Sequence, residues 1–382
     1  MDFGFSQEQE LLRQTARSFL EKECPTSFVR RMMDDPAGTT PELWRRLAEL
    51  GWLGLIYPEA WGGSGLGLVD LTVVLEEMGR AVMPGPFFST VLLGGAAILA
   101  AGSEAQRAAW LPRIVAGEAR TTLALLEESA RWDAGGVTLA AKPARGDRFV
   151  LSGTKLFVLD GHTADVLVVA ARTARATRDD PDHGVTLFLV PADARGVTAT
   201  PLPTMDQTRK LAEVTLARVA VGPDAVLGPV HRGWPLLARV LDRAAVALCA
   251  EMCGGAQQVL DLCTAYAKVR VAFGRPIGAY QAIKHRCADM LVAIENAKSI
   301  TYYAAWAADQ DAPDAPLAAS MAKAYVSDAA RKVAGDGIQI HGGIGFTWEH
   351  DLHLYFKRAK GSEVTFGDAT LHRERVARLL EL

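Results

Sequence analysis

An α+β fold is predicted by the order in which two periodicities occupy the chain. Apolar residues recur at helical spacing up to about residue 119 and again from about residue 230, while the stretch between breaks into short runs rich in Val, Leu and Thr. No long helical repeat separates those runs, so an antiparallel sheet is expected rather than parallel strands joined by crossovers of a dozen or more residues. The expected organisation is an N-terminal α-helical domain over 1–119, a central β domain over 120–229 and a C-terminal helical domain over 230–382.

Taken in order, residues 6–50 place Leu11, Leu12, Phe19, Leu43 and Leu47 on amphipathic helices separated by charges. Pro58, Gly62, Gly63, Gly65 and Gly67 interrupt that pattern before 71–78 and 91–101 resume it. These glycines lack the strand-turn-helix setting and the later acidic residue of a dinucleotide fold, so they read as a loop between helices. Strands are expected over 121–126, 149–151, 165–171, 185–190 and 211–221, with the charged stretch 172–184 as a solvated connection. Long helices are expected over 236–271, 281–310 and 317–340, broken at 309–316.

The balance of 49% hydrophobic and 22% charged residues suits a folded chain with substantial cores. A formal net charge of -3 provides no broad basic field, which argues against wholesale nucleic-acid binding while leaving local arginines free to meet a polyanionic small molecule. The N-terminus has neither the basic start nor the apolar stretch of a secretory leader, and a cytoplasmic protein is expected. The longest apolar run, 91–101, falls short of the roughly 20 residues needed to span a bilayer, so no membrane segment is expected. Five cysteines, none in Cys-x-x-Cys spacing, read as reduced, packed thiols, and no metal site is expected. His341, His350 and His353 read as packing or surface histidines, because no third ligand accompanies the last two.

Two clusters carry the chemistry. Arg270 precedes Phe273, Gly274, Pro276 and Gln281 near an expected helix end, where an arginine can serve the helix dipole or present its fork to a diphosphate. Gln339 precedes Gly342, Gly343 and Gly345 at the end of another helix, which reads either as a helix stop or as a place where backbone approaches a bulky ligand. Together the two clusters resemble the flavin-clamping signatures of acyl-CoA dehydrogenases. The resemblance extends through Phe5 and Ser6, Gly51 to Leu55, Tyr57 to Glu59, Gly62 to Gly65, and Gly153 to Phe157, and so covers nearly the whole chain.

The resemblance implies a C-terminal four-helix bundle that drives oligomerisation, FAD as cofactor, and α,β-dehydrogenation of an acyl-CoA in fatty acid metabolism. It implies that Arg270 contacts the FAD pyrophosphate and that Phe273 packs near the cofactor. Gly274, Gln281, Gln339, Gly342, Gly343 and Gly345 join the cofactor set, the 339–345 segment reaching FAD from the neighbouring subunit. A homo- or heterotetramer with an acyl-CoA dehydrogenase homologue is thereby implied, with electron-transfer flavoprotein as acceptor or, for an oxidase, molecular oxygen.

Departures from the family pattern bear on catalysis. The first strand of the sheet domain runs into Leu126, Glu127, Glu128 and Ser129 where relatives carry Thr-Glu-Pro and a permissive loop; Phe157 and Leu159 stand where relatives have Trp and Thr. Leu159 offers no side-chain hydrogen bond to a flavin ring. Alignment through the flanking motifs places Ala244 and Phe366 at the family's two base positions, and neither can accept a proton. Nearby carboxylates are Asp242, Glu251, Glu363 and Asp368. Asp242 sits about 200° round the helix from Ala244 and should point elsewhere. Asp368 reads as a cap, or as a displaced base. Four readings follow: a base-lacking subunit of a heterotetramer, a homotetramer using Asp368, an enzyme of a related thioester reaction that needs no α-proton base, or a catalytically silent subunit that supports an active homologue.

Overall fold

Side chains able to cap helix starts set the N-terminal elements. Ser6 Oγ accepts from the Gln9 backbone at 3.2 Å while Gln9 Oε1 accepts from Ser6 N at 2.9 Å, a reciprocal pair that opens α1 (Gln7–Glu23). After α2 (Thr26–Asp34), Thr40 Oγ1 accepts from Leu43 N at 3.2 Å and Pro41 supplies a preset φ at the start of α3 (Pro41–Glu49). The helices α4 (Leu68–Arg80) and α5 (Gly95–Ala101) follow, the latter preceded by a π-helical stretch, Ser89–Gly94. Ser103 and Gln106 repeat the reciprocal cap at α6 (Glu104–Val115), a helix not anticipated from the sequence.

The computed structural model describes residues 4–382; Met1 to Phe3, the start of the stretch read for a leader, lie outside the described residues. Two compact units emerge. The first gathers the chain up to Arg31 with Gly67–Met83 and Ala245–Leu382, the second Met32–Leu66 with Pro84–Ala244. The division falls within α7 (Gly233–Val269), after Ala244. Among the described residues no helix is long and apolar enough to cross a membrane.

In the first unit, glycine allows α4 and α7 to touch backbone to backbone. A Cβ on Gly79 would lie 1.9 Å from Glu251 O, and one on Gly254 would lie 1.8 Å from Glu76 O. The helices α8 (Gln281–Asp309), α9 (Ala315–His341), α10 (Leu352–Val364) and α11 (Ala369–Leu379) complete this unit, with α9 packed against the other three. Buried Ala318, Ala319, Ala322, Ala330 and Ala334 keep the side chains on α9 short. Asp309, at the end of α8, accepts from Leu68 N at 2.8 Å and Val69 N at 2.9 Å, so one carboxylate serves two orphan donors at the start of α4.

In the second unit the strands are β1 (Thr121–Ala124), β2 (Ala140–Ala144), β3 (Arg148–Leu159), β4 (Val166–Arg172), β5 (Val185–Pro191), β6 (Val197–Leu202), β7 (Leu211–Val221) and β8 (Val226–Leu227). They form an eight-stranded sheet in the order β6-β7-β3-β2-β4-β5-β8, with β1 beside β4. Pairing is mostly antiparallel, as expected, with two corrections: β1 runs parallel to β4 from Thr121↔Val166 to Ala124↔Val169, and β2 touches β4 in parallel at Ala140↔Arg172. Between β1 and β4 the chain is occupied by the β2–β3 hairpin, which acts as the crossover that a helix usually provides. Leu151, Val158, Leu167, Val169, Phe188, Val190 and Val214 fill the core of this sheet. The glycine stretch is a tight loop, where a Cβ on Gly63 would overlap Tyr57 O at 2.1 Å.

Candidate functional site

Arg270 follows α7 directly, its N–H donating to Tyr266 O at 2.9 Å. The chain then makes a two-residue hairpin, β9 (Val271–Ala272) against β10 (Arg275–Pro276), closed by Phe273 and Gly274 at φ +50° and +81°. Positive φ at both central residues is the pattern of a type I′ turn, for which Asn-Gly or Gly-Gly is the ordinary choice. Phe273 instead occupies this left-handed position with 96% of its surface exposed. Tyr280 braces the hairpin, donating its hydroxyl to Ala272 O at 3.0 Å and lying 4.1 Å beneath the Arg275 guanidinium. Gln281 opens α8 with its side chain exposed.

Gln339 is exposed in the last turn of α9, which Gly342 terminates at φ +64°. His341 anchors this end: it is buried, stacks on Tyr266 with ring centroids 4.4 Å apart, and bonds through Nδ1 to Gly337 O at 2.9 Å. Burial holds its pKa below the ordinary imidazole value. Because Tyr266 lies one turn before Arg270 and His341 two residues beyond Gln339, the stack brings both sequence-predicted clusters to the same end of the helical unit. A Cβ on Gly274, Gly342 or Gly343 would meet nothing within 4 Å, whereas one on Gly345 would press on Ile338 O at 2.9 Å. The first three leave their backbone open to a ligand; Gly345 serves the fold of the segment.

The sheet unit carries the departures. Phe157 lies at a bulge in β3, between the pairs Lys155↔Val214 and Val158↔Ala212, at φ +55° with 49% of its surface exposed. Leu159 is buried, its carbonyl accepting from Thr122 Oγ1 at 2.6 Å. The loop after β1 is tied by Glu127, which accepts from Lys155 Nζ at 2.6 Å, from the N–H groups of Thr138 and Leu139 at 2.9 Å each, and from the Thr138 hydroxyl. Burial pushes the Lys155 ammonium down to about 8, against the pull of Glu127. Burial alone would raise the Glu127 carboxyl, but Lys155 and the other donors outweigh it and hold it below its ordinary value.

Neither expected base position holds a proton acceptor: Ala244 is fully buried within α7, and Phe366 is buried in the turn before α11. Asp368 caps α11, accepting from Leu371 N at 2.8 Å. Glu251 forms a buried ion pair with Arg358, while Glu363 pairs with Arg331 at 3.1 Å and Lys360 at 2.7 Å. Asp242 is half-buried on α7. Cys24, Cys249, Cys253 and Cys263 are buried, Cys287 is half-buried, and desolvation raises every thiol above its ordinary value. Among the described residues, no group of three or more His, Cys, Asp or Glu could hold a metal ion.

The donor set fits a dinucleotide diphosphate. The exposed Arg270 guanidinium makes no ion pair among the described residues, the Gln281 and Gln339 carboxamides are exposed, and the glycine backbone beside them is accessible. Sequence reasoning located these residues but missed the left-handed phenylalanines at 157, 273 and 366. A Phe-Gly pair at 273–274 and again at 366–367 is the signal that could have suggested tight turns.

Comparison with known proteins gives three consecutive family matches: the acyl-CoA dehydrogenase N-terminal domain over residues 6–118, the middle domain over 122–219 and the C-terminal domain over 231–381. The chain is 35% identical over 376 residues to "Acyl-CoA dehydrogenase IpdE2" of Mycolicibacterium smegmatis, covering 98% of each. Among solved structures, butyryl-CoA dehydrogenase from Megasphaera elsdenii superposes with a TM-score of 0.92 at 27% identity, covering 100% of each chain. A chain of the ChsE4-ChsE5 complex from Mycobacterium tuberculosis superposes with a TM-score of 0.89 at 27% identity, covering 100% of this chain and 99% of that one.

Proposed function

The chain belongs to the acyl-CoA dehydrogenase family, whose members are FAD-dependent flavoproteins, and from that premise we propose that it works as the base-lacking subunit of a heterotetramer that dehydrogenates an acyl-CoA in the cytoplasm. The observation that carries the reading is that neither base position holds a proton acceptor: Ala244 and Phe366 are buried hydrocarbon, and Asp368, the displaced base considered from the sequence, caps α11.

FAD, when bound, would supply the hydride acceptor for the β-hydrogen of the thioester. This chain's part is to hold the cofactor. Arg270 presents its fork to the diphosphate, Gln339 and Gln281 add amide donors, and Gly274, Gly342 and Gly343 let backbone approach. Phe273, exposed on the isolated chain, is covered once a second subunit and the cofactor meet the hairpin. The α-proton passes to a carboxylate on the homologous partner subunit. Electrons leave to an electron-transfer flavoprotein. The similarity to a chain of the ChsE4-ChsE5 complex supports a mixed assembly.

Co-purification with a base-bearing homologue tests this. Acyl-CoA dehydrogenation followed with an artificial electron acceptor should appear in the mixed assembly and be absent from this chain alone. Equal turnover by the lone chain would rule the division of labour out, and its loss in Asp368→Asn would then identify the homotetramer with a displaced base.

A further inference from the structure

The turn that holds Phe366 is built against the preference of its own sequence. Gly367 N–H donates to Val364 O at 3.2 Å, Thr365 lies at φ -68° and ψ 130°, and Phe366 at φ +62°. This is the pattern of a type II turn, whose third residue needs positive φ and is ordinarily Gly or Asn. A bulky side chain there is strained, and such strain persists only where the surroundings over-determine it.

Two buried side chains grip the carbonyls on either side of that strain. His372, on α11, donates from Nε2 to Phe366 O at 2.9 Å. Lys323, on α9, reaches Gly367 O at 2.9 Å, Glu363 O at 2.9 Å and Ser362 O at 3.2 Å, with its remaining contact to Ser327 Oγ at 2.9 Å. Ser320, Lys323 and Ser327 have no exposed surface and lie on one stripe of α9. No carboxylate among the described residues pairs with this ammonium; backbone carbonyls of the last turn of α10 and of the turn beyond it take the place of a counter-ion. A lysine that only filled the bundle would be replaced at lower cost by an apolar residue, since burying a charge is expensive. Three of its four contacts converge on one short stretch of backbone, from Ser362 to Gly367.

We propose that Lys323 is a positioning residue: by holding the carbonyls of Ser362, Glu363 and Gly367 it fixes the left-handed conformation at 366 and so the placement of whatever side chain stands there. The bearing on catalysis rests on the family reading of position 366 as a base position. The claim about the turn does not, because it is read without flavin or substrate.

The test is a double-mutant cycle on the purified chain, with local hydrogen exchange of the 364–370 segment as the readout. Lys323→Met, which keeps the stem and removes the donors, should speed exchange there by about tenfold or more while the sheet unit is unchanged. Phe366→Gly removes the need for a clamp, because glycine adopts positive φ without strain. In that background Lys323→Met should speed exchange by no more than about threefold, a coupling that a merely structural lysine would not show. Wild-type protection in Lys323→Met, or equal losses in the two backgrounds, would overturn the proposal. Should Lys323→Met fail to fold, the double variant decides: rescue of folding by Phe366→Gly supports the assignment, and failure to rescue overturns it.

Discussion

At Phe273, two costs coincide on one residue. A phenylalanine at φ +50° is strained relative to Asn or Gly, and 96% exposure leaves its ring in water. Among the described residues the turn is held at the Phe273 carbonyl, by the Tyr280 hydroxyl at 3.4 Å, while the ring stays in water, so we attribute the choice of phenylalanine to a contact made elsewhere. Phe273→Asn should therefore leave the isolated chain as stable or more stable, by about 0.5–1 kcal/mol on replacing a poor turn residue with a preferred one, while weakening the flavin-loaded assembly. A chain that melts lower after the change, with assembly unaffected, would show that the ring is structural. Arg270, Gln339 and the glycines stand out in the sequence because a guanidinium, an amide and paired glycines at fixed spacing are chemical signals, and their role toward the cofactor is the one proposed above. The conformation of Phe273 was not legible, since backbone sign is not encoded by a residue type that normally avoids it.

Helices with strong periodicity were readable to within a few residues: expected stretches 281–310 and 317–340 correspond to α8 (Gln281–Asp309) and α9 (Ala315–His341). The strand β2, Ala140–Ala144, was unreadable because alanine, lysine and proline have little strand preference, and β6 was missed because its half-exposed Thr and Ala carry a weak pattern. The parallel β1–β4 pair escaped because its crossover is a hairpin rather than a helix. Close helix contact was also invisible, although it has a direct test. Gly254→Ala puts a methyl 1.8 Å from Glu76 O and should lower stability by about 3 kcal/mol, seen as a fall in Tm; an unchanged Tm would mean α4 and α7 do not meet as described.

The junction of α9, α10 and α11 also predicts a pH dependence. Burial pushes His372 down to about 4, below the ordinary imidazole value of about 6.5 that applies to the unfolded chain. The unfolded state therefore binds the proton first as pH falls, and the contribution of neutral His372 is present in full above about 6.5 and is lost as pH falls toward 4. His372→Gln keeps a donor for Phe366 O and removes the titration. Its Tm should fall less than that of the wild type between pH 7 and pH 4.5, and parallel curves would contradict the assignment.

Across the whole molecule, the family motifs lie at one end of the helical unit while the departures at Phe157, Leu159 and the Glu127 loop lie in the sheet unit. The proposed cofactor residues in the helical unit and the departures in the sheet unit are different kinds of sequence signal. Diphosphate binding uses exposed polar groups at set spacing, whereas a missing base is visible only as an absence at an aligned position. In the proposed assembly Arg270 grips the FAD diphosphate where this chain meets its partner. The most direct measurement is the affinity of FAD for the mixed assembly carrying Arg270→Ala in this chain. Loss of a charge-assisted, two-pronged contact should weaken binding by about tenfold to a hundredfold, while an unchanged Kd in an intact assembly would contradict the account.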